Sequence, residues 1–151
     1  MNSNYLNIGC ITMKKTPLLH SELSYLVATL GHTDEITICD AGLPVPSSVE
    51  RIDLALTHGI PSFIQTVEVL LKESQIEGVI IANEFKQVSA QHHQALLQCL
   101  KIEELETGKT LSITYLPHED FKLRTHQSKA IIRTGECTPY ANVIFQTGVT
   151  F

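Results

Sequence analysis

The apolar positions of this chain fall into short runs that predict β-strands. The run at residues 36–39 is rich in β-branched side chains and lies between turn residues, which is typical of a buried strand. The run at residues 78–82 is apolar at consecutive positions, as expected for a central strand that is buried on both faces. Further strands are predicted at residues 51–56, 110–115 and 143–145.

Between these runs, apolar residues recur at helical spacing. The stretch that begins at Ser21 predicts a helix capped by Ser21 and ending near Leu30, where Gly31 would adopt a left-handed conformation. Helices are also predicted at residues 62–73 and 89–104, and from Pro117 onward, although residues 63–71 could alternatively form a strand. The alternation of strands and helices predicts a single-domain α/β fold, a three-layer α/β/α sandwich with a mostly parallel sheet.

Composition narrows the function classes. The chain has 151 residues, a net charge of -5 and no cluster of basic residues beyond Lys14 and Lys15, so we expect no nucleic-acid partner. Hydrophobic residues make up 43% of the chain and charged residues 18%, which leaves room for a buried subunit interface.

Several features predict a cytoplasmic protein. The four cysteines are far apart and form no zinc-type pairs, which favours reduced thiols. No apolar run approaches the roughly 20 residues of a membrane helix, so we expect no membrane insertion. The first residues lack the pattern of a signal peptide. Met13 is a plausible alternative start, which would make residues 1–12 a loose extension of a domain at 13–151.

Polar residues with useful chemistry lie at predicted strand ends and turns. Neither of the two common glycine-rich phosphate loops is present, and there is no nucleophile elbow. Histidine can donate and accept a proton near neutral pH, while carboxylate, phenol and amide groups can hold hydroxyls. The pattern alone indicates a site for a small polyhydroxy or carbonyl compound. The residues concerned are His32, Asp40, His118, Tyr140 and Asn142. By contrast, the neighbouring His92 and His93 are predicted to be solvated helix residues.

Several sequence blocks carry a more specific signal. They are Leu-Gly-His-Thr-Asp at 30–34, Cys-Asp-Ala-Gly-Leu-Pro at 39–44, Arg-Ile-Asp-Leu-Ala-Leu at 51–56, Gly-Glu-Cys-Thr-Pro-Tyr-Ala-Asn at 135–142 and the ending Thr-Gly-Val-Thr-Phe. From Met13 to the C-terminus the chain resembles the RbsD/FucU family of sugar mutarotases, in particular its ribose branch.

This resemblance implies an isomerase that interconverts the β-pyranose and β-furanose forms of D-ribose without cofactor or metal, feeding ribose catabolism. It implies that His32 is the proton donor and that Asp40, His118 and residues 140–142 bind the sugar; the last three are Tyr140, Ala141 and Asn142. It also implies a homodecamer of two pentameric rings, with sites at subunit interfaces.

Two alternatives to this function remain at the sequence level. One is an L-fucose mutarotase on the same scaffold, although the Asp-Ala-Gly-Leu-Pro loop at 40–44 favours ribose. The other is a non-catalytic sugar-binding subunit of a ribose uptake system. Polar groups that only stabilise an interface would be a further, purely structural explanation of the same residues.

Overall fold

The computed structural model describes residues 13–151. These residues form a six-stranded β-sheet with helices on its faces. The predicted extension at 1–12 lies outside these residues. The strands are β1 (Glu35–Cys39), β2 (Glu50–Asp53), β3 (Ile76–Ala82), β4 (Ser112–Leu116), β5 (Ala130–Arg133) and β6 (Val143–Thr147), in the order β2-β5-β1-β6-β3-β4. Three pairings are parallel, whereas β6 runs antiparallel to both β1 and β3. The prediction of a mostly parallel sheet is confirmed.

Helices connect most of the strands. They are α1 (Ser21–Thr29), α2 (Phe63–Glu73), α3 (Asn83–Val88), α4 (Ala90–Thr107) and α5 (His118–Arg124), the last followed by a 3₁₀ turn at Thr125–Gln127. Residues 63–71 are therefore helical rather than extended. The short helix α3 was not predicted, because its six residues are too few to show a periodic apolar pattern. No helix in the described part of the chain is long and apolar enough to cross a membrane.

The two ends of α1 differ from the prediction. His20, rather than Ser21, caps the helix, because its Nδ1 accepts a hydrogen bond from the backbone N–H of Leu23 at 3.3 Å. Gly31 is not left-handed; the positive φ in this turn, 70°, belongs to Thr33. The pattern placed the helix correctly but could not identify which residues of the turn would take these roles.

Each face of the sheet has its own apolar core, which confirms the three layers. On one face, residues such as Ile38 and Phe145 pack against the buried sides of α2 and α4. On the other face, Ile131 and Ile144 pack against Phe121 of α5. Full burial of such side chains stabilises the fold by about 1.5–3 kcal/mol each. The sheet is thereby fixed as a rigid support for the residues at its edges.

Candidate active site

One edge of the sheet collects most of the predicted site residues. Asp40 follows the carboxyl end of β1, and His118 follows that of β4. Residues 140–142 precede β6, and because β6 is antiparallel to its neighbours, its amino end lies at this same edge. The reversed strand therefore brings Tyr140, Ala141 and Asn142 to Asp40.

Asn142 holds Asp40 in place. The backbone N–H of Asp40 donates to Oδ1 of Asn142 at 2.8 Å, and Asn142 is fully buried. The Asp40 carboxylate accepts a hydrogen bond from the N–H of Gly42 at 2.9 Å. Burial raises the pKa of Asp40 above its ordinary value, and the opposing influence of Gly42, Leu43, Asn142 and His118 does not overcome this effect. Ionisation of this carboxyl group is therefore less favourable in the folded chain than in water.

His118 is oriented by its backbone and by two aromatic rings. The backbone N–H of His118 donates to Oε2 of Glu84 on α3 at 2.9 Å, a contact that the sequence pattern did not indicate. The imidazole meets Tyr140 edge-to-face, with ring centroids 4.8 Å apart, and lies parallel to Phe121 at 6.4 Å. The imidazole therefore packs against both rings and lies close enough to Asp40 to lower the pKa of that carboxyl group.

Two polar atoms at this edge are buried without a hydrogen-bond partner among the described residues. They are Nδ1 of His118 and Nδ2 of Asn142. A buried polar atom without a partner destabilises a protein by about 1–3 kcal/mol, so native structures rarely keep one without a reason. Both atoms can be satisfied by the hydroxyl groups of a small polar ligand.

Tyr140 adopts a backbone conformation that aromatic residues rarely take. Its φ is 62°, in the left-handed region. Its carbonyl accepts a hydrogen bond from the N–H of Asn142 at 2.8 Å, which closes the turn. Strain of this kind persists where the surrounding structure enforces it and is concentrated at functional sites.

Glu136 joins the two loops of the site and was missed by the sequence analysis. Its carbonyl accepts from the N–H of Ala41 at 2.8 Å, while its carboxylate accepts from the N–H of Phe63 at 3.2 Å and from the hydroxyl of Thr138 at 2.8 Å. Burial alone would raise the pKa of Glu136, but these hydrogen bonds, with His92 nearby, lower it below its ordinary value. No pattern in the sequence distinguishes this carboxylate from a solvated one.

Arg133, at the end of β5, holds the other side of the Asp40 turn. Its Nε donates to the carbonyl of Ala41 at 3.0 Å, and its guanidinium pairs with Asp53 at 3.0 Å. A pocket of about 360 Å³ lies between the loops, lined by Asp40, residues 41–42 and residues 136–139. A larger cavity of about 510 Å³ lies beside α1 and includes none of the predicted site residues.

His32 lies at the opposite edge of the sheet from this cluster. It precedes β1, whereas Asp40 follows β1, and a strand of five residues spans about 17 Å. Its Nε2 lies 2.9 Å from Oε2 of Glu77 near the start of β3, and both side chains are about half exposed. Within one chain, the structure does not bring His32 together with the other predicted site residues.

The prediction that both histidines of α4 are solvated is wrong for His93. Its side chain is buried, its Nε2 lies 2.7 Å from the hydroxyl of Tyr115, and its ring packs edge-to-face on Phe85. Burial, with Lys86 nearby, lowers the pKa of His93. The adjacent His92 is half-buried and contacts Thr138 at 3.2 Å. Between residues 13 and 151, no group of three or more potential ligands could hold a metal ion.

Comparison with known proteins identifies the family of this chain. A model of the RbsD / FucU transport protein family matches residues 13–150. The chain belongs to this family. A D-ribose pyranase of Vibrio vulnificus is 70% identical over 139 residues, which is 92% of this chain and 100% of that relative. The structure of Bacillus subtilis RbsD complexed with D-ribose is 47% identical, covers 92% of this chain and 100% of its own, and has a TM-score of 0.83.

A more distant solved structure shares the fold of this chain. The fucose mutarotase of Streptococcus pneumoniae, in complex with L-fucose, is 23% identical and has a TM-score of 0.69. The match covers 91% of this chain and 99% of that one.

Proposed function

We propose that this protein catalyses the interconversion of the pyranose and furanose forms of D-ribose. The observation that carries the proposal is the 70% identity to a D-ribose pyranase over that enzyme's full length. It is supported by the 47% identity to an RbsD protein whose structure contains D-ribose. The geometry agrees, since buried polar atoms without partners converge beside a carboxyl group.

In this proposal the sugar is held at the edge that carries Asp40. The Nδ2 group of Asn142 donates to one hydroxyl, the Asp40 carboxyl and Nδ1 of His118 bind others, and the ring of Tyr140 covers the apolar side of the sugar. Ala141, between them in sequence, is fully buried. These assignments rest on the family resemblance and on the position of the five residues at one edge.

The reaction requires only proton transfers at oxygen. The anomeric hydroxyl O1 loses a proton, the C1–O5 bond breaks and O5 gains a proton, which gives the open aldehyde. The O4 hydroxyl then attacks C1 and loses its proton, while O1 regains one, which closes the furanose. No oxidation state changes and no bond to the protein forms. One positioned acid–base group contributes about 10²–10⁴-fold to such a reaction.

We further propose that His32 supplies this acid–base group from a second copy of the chain. Strand β1, which spans about 17 Å, separates the His32 of one chain from its own Asp40, so both cannot contact one sugar. A homo-oligomer with sites at its interfaces brings the two edges together, and the family resemblance implies a decamer of two pentameric rings for it.

We also propose a catalytic domain at 13–151, preceded by an extension at 1–12, and a cytoplasmic location in ribose catabolism. The family model, which covers residues 13–150, supports this boundary. The location is supported by the free thiols of Cys39, Cys99 and Cys137, which suit a reducing compartment.

NMR exchange on D-ribose tests the function. One anomeric proton is saturated, and transfer to the other anomeric signals is followed with and without protein. We expect faster transfer between pyranose and furanose signals, reduced about 100-fold or more in His32→Ala while D-ribose still binds. The matched control is His126→Ala, since His126 is exposed on the 3₁₀ turn, outside the site.

Each contrary result has its own meaning. Transfer no faster than in buffer would refute the function for ribose, and acceleration with L-fucose alone would favour the fucose mutarotase. Ribose binding without faster transfer would favour a non-catalytic sugar-binding subunit. Equal rates for wild type and His32→Ala would remove His32 from the mechanism.

A further inference from the structure

We infer that Glu77 is a positioning residue for His32: it holds the Nε2 edge of the imidazole and leaves Nδ1 to exchange the proton with the sugar. The inference rests on the proposed function, which makes His32 the acid–base group. It adds to that proposal a second residue and the identity of the reacting nitrogen.

The contact between the two side chains determines which nitrogen is free. Nε2 of His32 lies 2.9 Å from Oε2 of Glu77. An ionised carboxylate only accepts hydrogen bonds, so the hydrogen of this bond belongs to Nε2. A neutral imidazole carries a single N–H, and Nδ1 is then its acceptor. The ring can therefore take a proton at Nδ1 and return it there.

The turn that carries His32 is held from several directions. The N–H of Thr33 donates to the carbonyl of Thr147 at 2.9 Å. The hydroxyl of Thr147 contacts the carbonyls of Gly31 at 2.6 Å and Asp34 at 2.9 Å. These bonds hold Thr33 at a φ of 70°, which a β-branched residue rarely adopts. These contacts fix the backbone of the turn from which the His32 side chain reaches Glu77.

The Glu77 side of the pair is also fixed by its surroundings. Gly148 packs against Glu77, and a Cβ at position 148 would lie 3.3 Å from Cβ of Glu77 and 3.5 Å from its Oε2. The N–H of Gly148 donates to the carbonyl of Gln75 at 3.0 Å, which keeps this segment against the start of β3. The absence of a side chain at 148 therefore leaves space for the carboxylate that meets His32.

The carboxylate has a second effect on the reaction. When Nδ1 takes a proton from the sugar, the ring becomes positively charged, and Glu77 already faces it on the other side. A carboxylate in this position keeps the imidazole in one tautomer and stabilises the cation that forms. Both side chains are about half exposed in the single chain, so the pair adds little to folding stability and can be altered without unfolding the protein.

Glu77→Ala tests the inference with two readouts. The first is the tautomer of His32, read from long-range ¹⁵N–¹H correlations of its ring, and the second is kcat and KM for D-ribose exchange. In the wild type we expect hydrogen on Nε2. In Glu77→Ala we expect loss of this preference and a kcat about 10- to 100-fold lower, with KM within about twofold. Glu77→Asp keeps a carboxylate and should recover part of both.

The control is Glu106→Ala, which removes another half-exposed glutamate from an ion pair, the one with Lys72 on the helices. It should leave tautomer and kcat unchanged. Hydrogen on Nδ1 in the wild type, or a kcat in Glu77→Ala within twofold of the wild type, would overturn the inference. Failure of the wild type to accelerate ribose exchange would instead refute the proposed function, and the tautomer would still decide whether Glu77 orients the ring.

Discussion

At the scale of single residues, Asp40 destabilises the folded chain when it is ionised, although the proposed function requires it to bind the sugar. Its carboxyl is partly buried and its pKa is raised above the ordinary value of 3.8, so the folded chain binds a proton more tightly than the unfolded chain. The ionised form therefore destabilises the folded state at any pH above the folded pKa. This penalty disappears as pH falls through the folded pKa toward 3.8.

Asp40→Asn should therefore be more stable than the wild type at neutral pH, by about 0.5–2 kcal/mol, and much less active on ribose. The amide oxygen can still accept from Gly42, so the turn is kept. Thermal unfolding at neutral pH and near pH 3.8 measures the effect, and the advantage of the variant should shrink at the lower pH. A lower melting temperature at neutral pH would show that the Asp40 carboxylate stabilises the fold.

At the scale of elements, Glu136 links helix α2 to the loop that carries Tyr140 and Asn142. Its carboxylate caps the first N–H of the helix, at Phe63, beside the capping box of Ser62 and Gln65. Because the pKa of Glu136 is lowered in the folded state, its contribution to stability is complete above 4.5 and is lost as pH falls through the folded pKa.

Glu136→Gln should reduce the free energy of unfolding at neutral pH by about 1–3 kcal/mol, because hydrogen bonds to a charged acceptor become neutral ones. The difference from the wild type should narrow as pH falls below 4.5. Urea unfolding at several pH values provides the measurement. A difference that stays constant with pH would mean that the charge of Glu136 does not stabilise the link.

The elements were predictable where the apolar pattern is long enough. The spacing of apolar residues predicted the strands at 36–39 and 78–82 and the helix at 62–73, and the structure confirms them. The direction of β6 did not follow, because an apolar run has the same pattern in a parallel and in an antiparallel pair. His93 was misjudged for a related reason: its polar ring lies on a buried face only because Tyr115, 22 positions away, offers a partner.

The site residues required more than the pattern. The pattern selected polar groups at strand ends, and the family resemblance assigned their roles. Glu84, Arg133 and Glu136 were missed, since their importance arises from contacts across the fold. The separation of His32 from Asp40, by contrast, could be predicted, because the strand predicted at 36–39 lies between these two residues.

At the scale of the whole molecule, the proposed assembly can be tested by mixing two inactive variants. His32→Ala lacks the acid–base group, and His118→Ala lacks a sugar-binding ring, but each keeps the residue that the other has lost. In randomly mixed oligomers, about one quarter of interface sites would combine an intact His32 from one copy with an intact His118 from another. We expect co-expression to recover about that fraction of wild-type ribose exchange.

Separately purified variants that are assayed without mixing are the control, and both should stay inactive. If co-expressed chains were as inactive as the separate ones, each site would draw on a single chain. His32 would then have to act by a route other than direct contact with the sugar.

Strand β1 carries His32 before its first residue and Asp40 after its last. In the proposed assembly the strand contributes to two sites, because the residues at its two ends contact different sugar molecules. Activity should then depend on protein concentration even where every chain stays folded. Dilution below the dissociation constant of the copies would separate each histidine from the sugar it serves and stop the reaction, without any change in secondary structure.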